Sequence, residues 1–161
     1  RCIDAAMEIN GPVYIRLARL PSPIFEMDMP FIPGKVNVLR EGKDEVLLCS
    51  GVMVSECMAA AELLAAQGKD VCVVNCHTIK PFDVEGVQAL AKAHGHIYTV
   101  EEHNVIGGLG DAAAAALVNM DGVKLTKLGM QDVFGESGKP ADLLRKYKLD
   151  AQGIADTVLG K

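Results

Sequence analysis

The sequence predicts an α/β fold: a three-layer α/β/α domain with a mostly parallel sheet and one antiparallel strand at an edge. Short apolar runs alternate with longer stretches of helical periodicity along most of the 161 residues. The composition is half apolar but contains no Trp, so small aliphatic side chains must form a tightly packed core. Residues 71–75 form an apolar run, which is typical of a strand buried on both faces.

The first 35 residues predict a helix, a strand and a linker. Residues 1–9 place apolar side chains at helical spacing, and Gly11-Pro12 ends that helix. Because the helix starts without Met or a capping residue, we expect an upstream part of the protein. Residues 13–18 are predicted to form a strand. Residues 20–35 contain four prolines, which exclude a continuous helix or a central strand, so they predict an apolar linker lying against a surface.

From residue 36 onward, strand and helix patterns alternate. The predicted strands are 36–40, 45–49, 71–75, 96–100 and 123–128. The predicted helices are 53–67, 84–93, 109–118, 140–147 and 151–159. The first two strands flank a turn at 41–44, which allows the antiparallel edge strand. Gly68 is expected to end the first of these helices, and Asp150 to cap the last.

Composition and charge exclude several classes of protein. The net charge is −5 and the basic residues are scattered, which argues against a nucleic-acid partner. No apolar run is long enough to span a membrane. The five cysteines are odd in number and lie mostly in apolar stretches, so we expect reduced thiols and a cytoplasmic protein rather than a disulfide framework.

The loops after the strands are the expected functional edge of such a sheet. Gly107, Gly108 and Gly110 form a turn that opens a helix, where backbone amides could hold an anion. The full spacing of a dinucleotide-binding turn is absent. The alternative is a turn that lets a helix approach another backbone closely.

Two histidines are candidates for the same edge. His77 and His103 follow different strands and could meet there, with Cys76, Glu101 and Glu102 nearby in sequence. Their spacing is not that of known metal-ligand pairs, so satisfied or interface histidines are the favoured interpretation. The cysteines of this region are expected to be inert packing thiols, and Ser50-Gly51 lacks the glycine pattern of a nucleophile elbow. The sequence therefore predicts no catalytic residue and no metal ligand.

Two arginines interrupt the apolar segment near the start of the chain. Arg19 lies at the carboxyl end of this segment, and Arg16 lies three residues before it. A guanidinium there can bind a phosphate or carboxylate through two parallel hydrogen bonds. A solvated or salt-bridged edge explains the same residues equally well.

In this order, the segments together resemble the transketolase family. Gly11-Pro-Val-Tyr-Ile-Arg-Leu-Ala-Arg19 is similar to the last strand of the family's pyrimidine-binding domain. The most specific segment is Val73-Val-Asn-Cys-His-Thr-Ile-Lys-Pro81, followed by Asp83. The C-terminal domain is matched further by Ser50-Gly-Val-Met-Val54 with Glu56 and residues 60–64, by Val100-Glu-Glu-His-Asn-Val-Ile-Gly-Gly-Leu-Gly110, and by Gly129-Met-Gln-Asp132.

The resemblance implies a thiamine-diphosphate-dependent enzyme that transfers a two-carbon ketol unit between sugar phosphates. It implies a remnant of the pyrimidine-binding domain at 1–19, a linker at 20–35 and the C-terminal domain at 36–161. The string from His77 to Pro81 is most similar to split transketolases, in which two chains make the enzyme. The relatives left as alternatives are deoxyxylulose-phosphate synthase and the beta subunits of 2-oxo acid dehydrogenases.

The family's diphosphate-and-magnesium motif and its activating glutamate are both absent from these residues. The resemblance places the motif on a partner chain and the glutamate before Arg1. The chain is therefore expected to be inactive alone and to bind neither thiamine diphosphate nor magnesium.

The resemblance also implies a substrate contact and a packing role. Arg19 matches the arginine that helps bind the substrate phosphate, and Arg16 matches an arginine present in some relatives. The C-terminal domain is implied to lie away from the reaction centre and to pack in a homodimer. The alternative from a different class is an anion-binding regulatory module that uses the turn at Gly107–Gly110 with His77 or His103.

Overall fold

A five-stranded sheet forms the centre of the domain that follows residue 36. The computed structural model describes residues 1–19, 21–25 and 29–161. In chain order the strands are β1 Asn37–Arg40, β2 Val46–Cys49, β3 Cys72–Asn75, β4 His96–Asn104 and β5 Lys124–Met130. They are arranged as β1-β3-β2-β4-β5, with β1 antiparallel to β3 and every other pair parallel. The predicted sheet, with its antiparallel edge strand, is confirmed.

The turn between β1 and β2 does not form a hairpin, because the chain crosses the amino end of β3. The amides of Lys43 and Asp44 both donate to the Asp70 carbonyl, at 2.7 and 2.9 Å. A Cβ on Gly42 would lie 2.2 Å from the backbone carbon of Val71. Only glycine permits this close approach, which carries β1 to the far side of β3.

Helices cover both faces of the sheet and complete the three predicted layers. They are α2 Met53–Ala65, α3 Val84–His94, α4 Leu109–Leu117, α5 Pro140–Lys146 and α6 Ala151–Leu159, after a short α1 at Cys2–Met7. Leu47 and Cys49 of β2 pack with α2 and α6, whereas Val46 and Leu48 pack with α3 and α4. This alternation buries β2 completely, since side chains of a strand point to opposite faces in turn.

The helix ends follow the predicted capping residues, with additions. α2 ends two residues earlier than expected, and Gly68 closes the following turn in the left-handed region at φ +83°. Asp150 caps α6 through the Gly153 amide at 2.9 Å, as predicted. Asp83 caps α3 in the same way, through the Gly86 amide at 3.1 Å, and was not predicted to do so. None of the helices among the described residues is long and apolar enough to cross a membrane.

The strand predicted over residues 13–18 is wrong. These residues run without strand pairing, and Tyr14 and Leu17 are 88% and 83% exposed. A strand requires a hydrogen-bonded neighbour, and no strand in the described part of the chain pairs with this segment.

Among the described residues of the predicted linker, residues 29–35 and the following Val36 contact the domain, whereas Ile24 is 90% exposed. Leu20 and residues 26–28 of the predicted linker lie outside the described residues.

Candidate functional site

A cleft of about 270 Å³ opens where the strand order reverses. The chain leaves β2 for β3 on one side, and later returns to form β4 on the other. Such a switch point leaves a crevice at the carboxyl ends of the strands, the usual ligand position in open α/β sheets. Its walls are residues 50–52 after β2, 101–103 in β4 and 107–109 at the start of α4, with Arg16 and Ala18 on the open side.

An internal carboxylate occupies the glycine-rich turn on the wall of this cleft. The amide of Leu109 donates to Glu101 Oε2 at 2.7 Å, and that of Gly110 donates to Oε1 at 2.8 Å. Glu101 is only 3% exposed and comes from the adjacent strand β4. A negative charge at a helix N-terminus is favoured by the helix dipole and by the unpaired amides. Glu101 therefore occupies the place that an external anion would take at this helix.

The glycines around this carboxylate make room for it. A Cβ on Gly108 would lie 1.9 Å from Glu101 Oε2, and one on Gly110 would lie 3.1 Å from Oε1. On β5, a Cβ on Gly129 would lie 3.3 Å from Glu101 Cγ. The turn thus approaches a buried side chain closely, whereas the sequence suggested an anion or another backbone.

The remaining groups of the turn are held by an ion pair. Asp111 accepts from the Gly107 amide and from Lys127 Nζ, both at 2.7 Å. Lys127 Nζ also donates to the Val105 carbonyl at 2.9 Å. The hydrogen bond from Lys127, followed by that from Gly107, lowers the pKa of Asp111 and keeps it charged at neutral pH. The turn is therefore organised by two carboxylates of the chain itself.

The two candidate histidines lie in different environments. His103 lines the cleft, where its Nδ1 lies 2.6 Å from the Asn104 carbonyl and 3.8 Å from Glu101 Oε2. His77 is not among the cleft-lining residues. Its ring packs on Phe31 with centroids 4.2 Å apart, and burial lowers its pKa, which favours the neutral imidazole. Among the described residues, no group of three or more His, Cys, Asp and Glu side chains is placed to hold a metal ion.

The cysteines are free thiols, as expected, and four of the five are buried. Burial raises the pKa of Cys76 to about 12 and that of Cys72 to about 11. Burial also raises the pKa of Cys57, which neighbours Cys49. Because the thiolate is the reactive form, Cys57, Cys72 and Cys76 are packing groups rather than nucleophiles at neutral pH.

The two candidate arginines do not face the same cavity. Arg16 and Ala18 line the cleft, whereas Arg19 lies outside it. Both arginines are exposed.

The structural roles of Glu101 and Asp83 were not predicted from the sequence. The signal for Glu101 was an acidic residue at the end of a strand directly before a glycine-rich helix start. The signal for Asp83 was an acidic residue immediately before a helical pattern.

Comparison with known proteins identifies relatives of the whole described fold. Residues 34–154 match the family described as transketolase, C-terminal domain. A 6-deoxy-6-sulfo-D-fructose transketolase subunit of Clostridium sp. is 45% identical over 146 residues, covering 90% of this chain and 45% of the relative. A 1-deoxy-D-xylulose-5-phosphate synthase of Geobacter metallireducens is 38% identical over 95% of this chain and 25% of that enzyme.

A solved structure of a split-gene transketolase, an inactive beta4 tetramer, superposes with a TM-score of 0.92 at 42% identity. It covers 99% of this chain and 52% of the solved chain. The present chain thus spans about half the length of the transketolase subunits that it matches.

Proposed function

This chain belongs to the transketolase family through its C-terminal domain, and we propose that it is the C-terminal part of a thiamine-diphosphate-dependent transketolase. The complete enzyme transfers a two-carbon ketol unit between sugar phosphates. The observation that carries the proposal is the match of residues 34–154 to the family domain. The likeness at 42% identity to a split-gene transketolase favours an enzyme assembled from two kinds of chain.

Within that enzyme the domain after residue 36 is a packing and dimerising module. Its most buried carboxylates, Glu101 and Asp83, are engaged in holding helix starts. Burial raises the pKa of the Cys72 and Cys76 thiols, so both stay protonated at neutral pH. These groups support a structural role for the domain, with the chemistry taking place elsewhere in the complete enzyme.

Residues 1–19 are proposed to be the end of the pyrimidine-binding domain, and residues 20–35 the linker to the next domain. The support is the exposure of large apolar side chains such as Tyr14 and Leu17. Contiguous exposed apolar surface marks a site of contact with another body. A second copy of this chain and the N-terminal section of the enzyme are the proposed partners, and the five free cysteines fit a cytoplasmic location.

The described residues do not fit thiamine diphosphate. The glycine-rich turn is the element best suited to a diphosphate, but Glu101 already accepts the amides of Leu109 and Gly110. A second anion there would be repelled at close range. We therefore assign the cofactor and its magnesium to the remainder of the complete enzyme.

Arg19 is proposed to bind the anionic group of the substrate, with Arg16 as the second candidate. Both guanidinium groups are exposed and available to a ligand. The Clostridium relative is named for a sulfonated sugar, and a guanidinium can bind a sulfonate as well as a phosphate through its parallel N–H groups. We commit to a sugar phosphate and use the sulfonate as a comparison.

The test is ketol transfer by the complete enzyme, assembled from its N-terminal section and this chain with its preceding residues. Arg19→Ala should raise KM for a phosphorylated sugar roughly 10- to 100-fold, as expected for the loss of a charged hydrogen bond, and should leave the unphosphorylated sugar unaffected. Arg145→Ala on α5 is the matched control. If the wild-type enzyme prefers the sulfonated sugar, the proposed substrate becomes a sugar sulfonate rather than a sugar phosphate. An equal effect of Arg19→Ala on the phosphorylated and the unphosphorylated sugar would show that Arg19 does not bind the anionic group.

The synthase relative favours a second candidate function for the complete enzyme. The Geobacter synthase covers nearly all of this chain at 38% identity. Formation of 1-deoxyxylulose 5-phosphate by the assembled enzyme, without ketol transfer between sugar phosphates, would decide for that function.

A further inference from the structure

The loop after β3, residues 76–83, holds the most family-specific string of the sequence and has no role in the proposed chemistry. It lies beside residues 29–36, which are the end of the linker and the first residue of the domain. The contacts between the two segments include a ring stack, a close backbone approach and a buried carboxylate.

Two of the contacts are apolar. The ring of Phe31 packs on the ring of His77, with centroids 4.2 Å apart and planes inclined by 30°. Gly34 adopts φ +78° above Pro81, where an added Cβ would lie 3.0 Å from the proline Cγ. Both positive φ and this tight spacing favour glycine at this position.

The third contact is centred on Asp83, which is 5% exposed. Its Oδ1 accepts from Lys35 Nζ and from the Gly86 amide, both at 3.1 Å, and its Oδ2 accepts from the Val36 amide at 3.0 Å. One carboxylate thus caps α3 and fastens the linker at the same time. Hydrogen bonds to a charged acceptor are the stronger class, and they are least screened where the carboxylate is buried.

The same stretch of linker also touches the N-terminal helix. The guanidinium of Arg1 donates to the carbonyl of Met29. Asn37 Nδ2 donates to the Pro30 carbonyl at 3.3 Å, which holds the linker against the start of β1. Arg1, the first residue of the segment that also carries Arg19, therefore contacts the stretch of chain that is docked on the domain.

We infer that loop 76–83 is a clasp that docks the linker onto the C-terminal domain, and that Asp83 is the positioning residue that sets the Arg19 segment relative to the sheet. The docking part stands on the contacts alone. The part concerning Arg19 rests on the proposed function.

The chain offers a matched control for Asp83. Asp150 caps α6 through one amide, as Asp83 caps α3, but no hydrogen bond joins it to a described residue of the linker. Asp83→Ala and Asp150→Ala each remove one helix cap, so their difference isolates the docking. We would measure hydrogen exchange of the Val36 amide in the 161-residue chain under native conditions.

Asp83→Ala should accelerate exchange at Val36 at least tenfold, because its acceptor is lost, whereas Asp150→Ala should leave Val36 within about twofold of wild type. Lys35→Ala and Phe31→Ala leave the cap of α3 intact, and each should accelerate hydrogen exchange of the Val36 amide by a smaller factor. They keep the inference testable if Asp83→Ala fails to fold. Equal exchange at Val36 in all variants would overturn the clasp.

A second measurement addresses positioning in the complete enzyme. Asp83→Ala should lower kcat/KM roughly tenfold for a phosphorylated sugar and much less for an unphosphorylated one, because misplacement of Arg19 affects only the anion. If Asp83→Ala keeps the wild-type ratio of kcat/KM for the two sugars although its Val36 amide exchanges fast, Asp83 does not position Arg19. Exchange is measured without turnover, so failure of the proposed function and failure of the clasp are distinguishable.

Discussion

Residues 13–18 and strand β2 are similarly apolar, but they differ in burial and in strand pairing. β2 is buried along its entire length between two parallel neighbours, whereas 13–18 is exposed and unpaired. Local preference for extended structure is comparable in the two segments, because both are rich in Val, Ile and Leu. The difference shows that strand formation depends on a partner for the backbone and a surface for the side chains.

The first two helices of the chain differ in the same way. α1 has no buried residue, whereas α2 buries six of its side chains against the sheet. A short helix without a packing surface is marginal in water, because its initiation cost is not offset. The N-terminal region contacts the rest of the molecule through Arg1, which donates to the Met29 carbonyl, and through Arg16 and Ala18 at the cleft, whereas the domain has a core of its own.

Shortening one apolar side chain in each region tests whether residues 13–18 contribute to the folded core as β2 does, and it should produce the largest effect. Leu47→Ala in β2 should lower the free energy of unfolding by about 2–5 kcal/mol, since it removes methyl groups from a fully buried site. Leu17→Ala should change it by less than about 0.5 kcal/mol in this chain. Urea unfolding followed by circular dichroism measures both. Similar losses would mean that residues 13–18 belong to the folded core.

The next effect concerns the two adjacent glutamates at the cleft, one internal and one exposed. Glu101→Ala should lower the free energy of unfolding by about 3 kcal/mol, because two buried amides lose their acceptor. Glu102→Ala should stay within about 0.5 kcal/mol of wild type.

Phosphate provides the control for this pair. Inorganic phosphate should raise the melting temperature of Glu101→Ala more than that of wild type, because the vacated helix start can then hold an anion. Equal stability of the two glutamate variants would contradict the assignment of Glu101 as the internal anion.

The smallest expected effect is the pH dependence of the clasp. Burial acts to raise the pKa of Asp83, but hydrogen bonds from the Val36 amide, Lys35 and Gly86 outweigh it, so the pKa lies below its ordinary value of 3.8. A lowered folded-state pKa stabilises the fold above the unfolded value, and that contribution is lost as pH falls through the folded pKa.

Unfolding experiments between about pH 5 and pH 3 would measure this loss. The stability difference between wild type and Asp83→Asn should shrink as the pH is lowered across that range. A difference that stays constant would show that the charge of Asp83 does not hold the linker.

Much of the domain could be predicted because its signals are local. Helix α6 begins at Ala151 after the Asp150 cap and ends at Leu159, as its periodicity indicated. The parallel sheet followed from the alternation of apolar runs and helical patterns. An antiparallel edge strand was also expected from the early turn, but it pairs with β3 and not across that turn. Hydrophobic periodicity and capping depend on neighbours a few residues away, so they can be inferred from sequence.

The site could be predicted only in outline. The carboxyl edge of the sheet was the expected position, and the cleft lies there. The occupant of the glycine-rich turn was not foreseen, because Glu101 reaches it from a neighbouring strand. Whether Arg16 and Arg19 bind a substrate remains a prediction for the complete enzyme.

The layer architecture, the family and the scarcity of aromatic side chains in the core can all be read from the sequence. The strand that pairs with β1, the position of Glu101 at the start of α4 and the contact of Asp83 with the linker became known only from the folded chain. These outcomes depend on contacts between residues distant in sequence, such as Gly42 with Val71 and Asp83 with Val36. Close approach and hydrogen-bond satisfaction are properties of the packed chain, so they cannot be inferred from local sequence periodicity.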